Sequence, residues 1–367
     1  MLSFQELKKY SDLLLDYSLE IREGSKLLIQ STTLAEPLLI ELYKGSMQRG
    51  AIIEISFVLK DQDAIFNQYA SNQALQWVNP TYRFAMEYFD AYLYIRAPHV
   101  NAAYYPMSSD RQLMRRQALE PFTKFYNQRT GNRSMRRSLC QYPTQASANE
   151  ADMTLEEYEV FVMQSCFLHQ DTPIDEWKLL SGHQKHIVDY LNQCSEFTYI
   201  NPKTNISFST EGRTWINSDG KTNMPSGEVY SSPVEDSMNG HIFFDYPFLY
   251  QNQLIQGVSL EVEKGRVVKA VAEIGDSILQ EIISTPGADY FGEVAIGTNP
   301  NINRPTRNIL FDEKMAGTVH MAIGQSYLQC GGKNESILHQ DMIADMREEG
   351  KIIANGNLIY KNGVFLI

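Results

Sequence analysis

The first half of the chain switches repeatedly between two hydrophobic periods, and this switching restricts the fold more than any other feature. Leu7, Tyr10, Leu14 and Tyr17 recur at helical spacing over residues 4–17. Gly24 then precedes a short apolar run, Lys26-Leu27-Leu28-Ile29, which reads as a buried strand. Helical spacing returns over 35–49 and is closed by Gly50, and the β-branched and aromatic stretch 51–59 (AIIEISFVL) follows as a second strand. Two further helical stretches lead to a third strand at 91–95. A strand–helix–strand–helix–strand order requires right-handed crossovers, so an α/β domain with a Rossmann-like parallel sheet is expected over 1–195. No GxGxxG follows the first strand, and dinucleotide binding is not supported.

From Phe197 the character changes. Turn signals become dense (Asn201-Pro202, Asp219-Gly220, Asn239-Gly240, Lys264-Gly265), with short alternating segments at 205–210, 259–262 and 266–273. Residues 196–367 are therefore expected to form an α+β domain with mixed β-sheets and helices near 276–284 and 341–349. The segments 358–360 and 364–367, on either side of Asn362-Gly363, predict a closing hairpin.

A length of 367 residues fits two domains. The net charge, 32 − 44 = −12, opposes a polyanionic partner, so nucleic acid is not expected. The basic segment 108–137, with Arg111, Arg115, Arg116, Lys124, Arg129, Arg133, Arg136 and Arg137, is read as a helix face and loop, with Phe122, Phe125 and Tyr126 on its buried side. The four cysteines form no CxxC pair, which argues against finger-type zinc and a disulfide framework. The amphipathic start is no signal peptide, and no apolar run reaches membrane-spanning length; a cytoplasmic protein without membrane attachment is expected.

Four segments of the second half place metal-ligand residue types in apolar, strand-like surroundings: NMPSGEVY (223–230), FGEVAIG (291–297), GTVHMAIG (317–324) followed by Tyr327, and SILHQD (336–341). Taken singly, each has a bland reading. Glu228 after Gly227 is an ordinary strand end, and His320 a hydrogen-bonded core histidine. Glu293 says more, because it enters the uncharged run Val294-Ala295-Ile296, where a carboxylate costs several kcal/mol unless paired or metal-bound. His339 and Asp341 share a face if they lie on a strand and diverge if they lie on a helix. Together, Glu228, Glu293, His320, Tyr327, His339 and Asp341 offer nitrogen and carboxylate donors without thiolate, which suit Zn²⁺, Co²⁺ or Mn²⁺. Such a set exceeds the three protein ligands of an open catalytic zinc and matches two ions sharing a carboxylate and a water, an arrangement that performs hydrolysis.

At these residues the chain resembles the metallo-aminopeptidase family of aminopeptidase T, aminopeptidase S and PepS. The resemblance rests on NMPSGEVYSSP (223–233), FGEVAIGTN (291–299), NILFDEKMAGTVHMAIGQSY (308–327) and SILHQDMIADM (336–346), with weaker likeness at 20–30, 41–55 and 142–161. It implies a metal-dependent aminopeptidase removing the N-terminal residue of short peptides with two divalent cations (Zn, Co, Mn or Mg) and a bridging water. Alternatives are a two-metal hydrolase of a non-peptide amide and an inactive peptide-binding relative. The implied metal ligands are Glu228, Glu293 (shared), His320, Tyr327, His339 and Asp341. Glu293 and Glu228 are rivals for accepting the water's proton, and Tyr327 is placed either at the oxyanion or at the metal edge. The family further implies a homodimer in which the first domain gates the cavity. Among other residues, His99 is a candidate for the cleft entrance and His241 for a supporting role beside Glu228. Asp312 and Glu313 are candidates for orienting His320, whereas His183 and His186 read as a solvent face.

Overall fold

The computed structural model describes residues 2–367. The chain forms two compact units, Met1–Ile174 with Gly220–Pro225, and Asp175–Asp219 with Ser226–Ile367. The division falls before the 195/196 boundary expected from composition. The reason is the helix Pro173–Leu191, whose apolar stripe of Ile187, Val188 and Leu191 belongs to the core of the second unit.

In the first unit, β1 (Lys26–Ser31), β2 (Ile52–Phe57), β3 (Ala91–Arg96) and β4 (Arg136–Gln141) are joined by Asn223–Met224, β8 in chain order. The sheet runs β2-β1-β3-β4-β8, every pair parallel. Its buried Leu27, Ile29, Leu93 and Ile95 are the apolar runs that announced the strands. The helices are α1 (Phe4–Asp12), α2 (Glu36–Gln48), α3 (Gln62–Tyr69), α4 (Asn72–Gln76), α5 (Pro80–Tyr88), α6 (Ser109–Gly131), α7 (Gln145–Glu150) and α8 (Leu155–Ser165).

The basic segment is used inside this unit. Arg111 donates to the carbonyls of Asn67 and Ala70 at the end of α3, and Arg115 to those of Leu75 and Trp77 at the end of α4. Arg129 donates to Met86, Glu87 and Phe89 at the end of α5. Each guanidinium thus satisfies carbonyls that a helix leaves unpaired at its C-terminus, where the helix dipole favours a cation. The segment also runs into β4, whose first two residues, Arg136 and Arg137, concealed the strand in the sequence.

The second unit holds α9 (Pro173–Leu191), α10 (Asp276–Ser284), α11 (Ile309–Asp312) and two sheets whose named pairs are all antiparallel. The larger is built from β5 (Glu196–Asn201), β6 (Thr204–Ser209), β10 (Asn239–Phe244), β11 (Phe248–Tyr250), β12 (Gln253–Glu263), β13 (Arg266–Ile274), β17 (Lys351–Ala354), β18 (Asn357–Lys361) and β19 (Val364–Phe365). The last two form the expected hairpin, with Asn362 and Gly363 at φ 50° and 85°, the left-handed pair that a type I′ turn requires. The smaller sheet, ordered β16-β15-β14-β9-β7, consists of β7 (Ile216–Ser218), β9 (Glu228–Ser231), β14 (Phe291–Gly297), β15 (Thr318–Gly324) and β16 (His339–Asp345). The helix expected at 341–349 is not formed. Met342, Ile343 and Ala344 are buried along β16 and pair with β15, so tertiary burial overrides the helix-favouring composition of MIADMREE. One core joins the two sheets, Phe197, Tyr199, Phe208, Ile242 and Leu260 meeting Val294, Ile296, Val319, Met321 and Met342.

Candidate metal centre

The period of a strand decides what the small sheet presents on its other face. Residues opposed across antiparallel strands share a face. The register puts Glu293, Ala322 and Asp341 in one row across β14, β15 and β16, and Tyr230, Ala295 and His320 in the next. Glu228 opposes Gly297, and His339 opposes Gly324. Five ligand-type side chains from four strands therefore project from one face, separated by alanines and glycines that leave room between them. The register slips between Phe291 and Glu293, and the residue in the slip must be Gly292: a Cβ there would lie 2.4 Å from the Gln325 carbonyl oxygen.

Glu293 is at the centre. Its Oε2 lies 3.0 Å from His339 Nε2 and its Oε1 3.7 Å from His320 Nε2. His320 Nε2 is also 3.3 Å from Glu228 Oε2, and His339 Nε2 3.6 Å from Asp341 Oδ1. Glu228, Glu313 and His320 bring donor atoms within 4.8 Å of one another, as do Glu293, His339 and Asp341. Tyr327 joins them, its ring 5.0 Å from that of His339 and edge-on to Tyr230 at 5.2 Å.

His339 is held for ligation, because its Nδ1–H donates to the Gln325 carbonyl at 2.7 Å, which turns Nε2 toward the carboxylates. Buried Glu228 Oε2, Asp341 Oδ1 and both His320 nitrogens have no hydrogen-bond partner among the described residues. Burial without satisfaction is costly and uncommon. Oxygen and imidazole donors left open at one spot fit a hard or borderline divalent cation.

The charges respond in the same sense. Burial works against protonation of His320, but Glu293, Glu228 and Asp341 override it and hold its pKa above the ordinary 6.5; the balance at His339 is similar and stronger, led by Asp341. Burial also opposes ionisation of Asp341, yet His339, His320 and Lys314 pull its pKa down to about 2. The carboxylate of Glu293, then burial and the remaining anions, push the Tyr327 phenol well above 10. These imidazole lone pairs attract a proton for the same reason that they attract a metal ion.

The structure brings together all six residues singled out in the sequence, and it revises their surroundings. Asp312 does not orient His320; its carboxylate accepts from the Thr306 amide and hydroxyl, and burial raises its pKa to about 7. Glu313 stands with Glu228 and His320 instead of behind the histidine. His241 is exposed on β10, in the other sheet, and gives Glu228 no support. The sequence reading passed over Lys314, wholly buried, with Nζ 3.6 Å from Glu228 Oε1 and in contact with Glu313. It also passed over Gln325 and gave Tyr230 no role. Lys314 left one signal, a cation immediately before the buried Met315 and the apolar β15.

A carboxylate–imidazole cluster of this kind, on one face of a buried antiparallel sheet, defines a candidate divalent-metal site. The model of the thermophilic metalloprotease (M29) family matches residues 4–365, and the chain belongs to that family. It is 25% identical over 391 aligned positions to aminopeptidase 2 of Geobacillus stearothermophilus, covering 94% of each chain. Its match to aminopeptidase AmpS of Bacillus subtilis is 30% identical over 237 residues, covering 55% of this chain and 57% of that one. Among solved structures, wild-type AmpT from Thermus thermophilus shares the fold, with a TM-score of 0.83 at 19% identity and 99% of each chain covered. No described helix is long and apolar enough to cross a membrane.

Proposed function

We propose that the protein is an aminopeptidase that holds two divalent cations, one on each side of Glu293, and removes the N-terminal residue of short peptides. The observation that carries this reading is the placement of Glu293, whose two oxygens face two different histidines, each with a further carboxylate beside it. Glu228 and His320 would hold one position, His339 and Asp341 the other, with Glu293 available to both and Glu313 beside the first group. When bound, two such ions would polarise a carbonyl and acidify a water so that hydroxide is available near neutral pH.

The residues of the chain supply the rest. Glu293 and Glu228, the two carboxylates beside His320, are the rivals for accepting the water's proton. One of the two cation positions would take the free α-amine of the substrate, which restricts cleavage to the first residue. Tyr327, whose ring stands 5.0 Å from that of His339, would donate a hydrogen bond to the oxyanion as the carbonyl becomes tetrahedral. The native ion is drawn from Zn²⁺, Co²⁺, Mn²⁺ and Mg²⁺. The protein is read as a cytoplasmic homodimer whose first unit limits access to short peptides, and light scattering of the purified protein tests the dimer.

Hydrolysis of aminoacyl-p-nitroanilides with and without a chelator tests the activity. Chelator-sensitive cleavage of free-amine substrates, lost on N-acetylation, is expected. Activity only on amides without a free amine would indicate a different two-metal hydrolase, and metal binding without turnover a peptide-binding relative.

A further inference from the structure

Lys314 has no part in the chemistry proposed above, yet its placement is restrictive. Its side chain is 0% exposed, its ammonium lies 3.6 Å from Glu228 Oε1, and it also touches Glu313. The backbone leaves it little freedom, since the Lys314 amide donates to Phe311 and its carbonyl accepts from Asn299. A lysine is almost never fully buried unless its charge is paired. Around it stand four carboxylates, Glu228, Glu293, Glu313 and Asp341, all in the two ligand groups. Among the described residues, Lys314 is the only lysine or arginine ion-paired to any of them.

Two roles are open to such a cation, and they predict opposite effects on metal affinity. If Lys314 merely holds Glu228 in place, removing it loosens a ligand and weakens binding. If it balances charge, removing it takes away a cation that repels the incoming ions, and binding tightens. The carboxylate surplus favours the second. Counting Glu228, Glu293, Glu313 and Asp341 against Lys314 gives −4 + 1 = −3, and protonation of both imidazoles still leaves −3 + 2 = −1. The backbone of Glu228 is fixed by its place on β9 opposite Gly297, and Lys314 meets only the carboxylate end of its side chain.

We propose that Lys314 is a built-in counter-cation that makes the metal-free centre tolerable to the fold and weakens its grip on divalent cations. This rests on the two-cation reading above. It implies that the protein folds before it acquires metal, and that the ions remain exchangeable.

The test compares wild type with Lys314→Met and Lys314→Gln, the second keeping a hydrogen-bond donor toward Glu228 without the charge. Zn²⁺ affinity is measured by competition with a chromophoric chelator, and melting by calorimetry in chelator and in Zn²⁺. Both variants are expected to bind Zn²⁺ about tenfold more tightly or better, since a unit charge a few ångströms from a dication acts strongly in a buried site. Both should melt below wild type in chelator, with a wider gap between the chelated and loaded forms. Unchanged or weaker affinity, or an equal loss of stability in both forms, overturns the proposal. So does failure of both variants to fold in the presence of Zn²⁺, because the loaded state is the one that should not need Lys314. If wild type itself gains no stability from Zn²⁺, the two-cation reading fails instead.

Discussion

Replacing Glu293 by glutamine changes one oxygen to an amide nitrogen and little else in shape. In the wild type, the two oxygens stand 3.0 Å and 3.7 Å from the His339 and His320 Nε2 atoms. In Glu293→Gln the amide NH₂ faces one imidazole and donates to its lone pair, so that nitrogen and that side of the carboxylate are both lost as ligands. Substitutions that only support a ligand cost about 10–100-fold in metal affinity, so losing a shared ligand should cost at least about 100-fold. A factor of about 100 is about 3 kcal/mol of stabilisation at a fixed excess of metal. For a unit of this size, that lowers the melting temperature of the loaded protein by roughly 5–10 °C. Metal content after gel filtration, calorimetry in Zn²⁺ and aminoacyl-p-nitroanilide turnover together read out the change. A Glu293→Gln protein with wild-type metal content, melting and turnover would refute the assignment of Glu293 as the shared ligand.

Further expectations follow from other parts of the structure. Tyr327→Phe should retain its metal and KM while kcat falls by about 100-fold, the usual loss for one oxyanion donor; full turnover removes Tyr327 from the mechanism. Burial pushes the folded pKa of Asp312 up to about 7 from 3.8, so it costs nothing below pH 3.8, destabilises the fold increasingly between pH 3.8 and 7, and stays constant above that at about 4 kcal/mol. Asp312→Asn, still accepting from Thr306, should remove that slope in urea titrations between pH 4 and 8; an unchanged slope contradicts it. Arg129→Met should destabilise the first unit by about 2 kcal/mol in urea, because three carbonyls closing α5 lose a charged donor. An unaltered midpoint would show that the cap is worth little.

The parallel sheet was legible because its strands read as short apolar and aromatic runs, with Leu27-Leu28-Ile29 continuously buried in β1 and Ala91, Leu93 and Ile95 buried at alternate positions in β3. β4 was not, since RRSLCQ carries two arginines, and Arg136 bonds the Glu20 carbonyl, a partner far away in sequence. Glu293 was legible because a charge inside an apolar run is expensive, and β14 is buried along its whole length; His320, on the equally buried β15, read alone as a core histidine and gained its meaning from the set. Periodicity also gave the shared face of His339 and Asp341 once a strand was assumed, although composition drew a helix over the same residues. Lys314, Glu313 and Gln325 lie off the strands, in connections whose side chains obey no period. Their relation to the centre is set by where the chain returns, and sequence spacing does not encode that. Asp312 and Glu313 show the limit directly: adjacent in sequence, one binds Thr306 and the other faces the ligands.

The most direct measurement is anomalous diffraction from crystals of the Zn²⁺-loaded protein, collected above and below the zinc edge. The account predicts two peaks roughly 3.5–4 Å apart, one against Glu228 and His320, the other against His339 and Asp341, with the Glu293 carboxylate between them. A single peak coordinated by only one of these groups, or zinc bound away from Glu293, would contradict it.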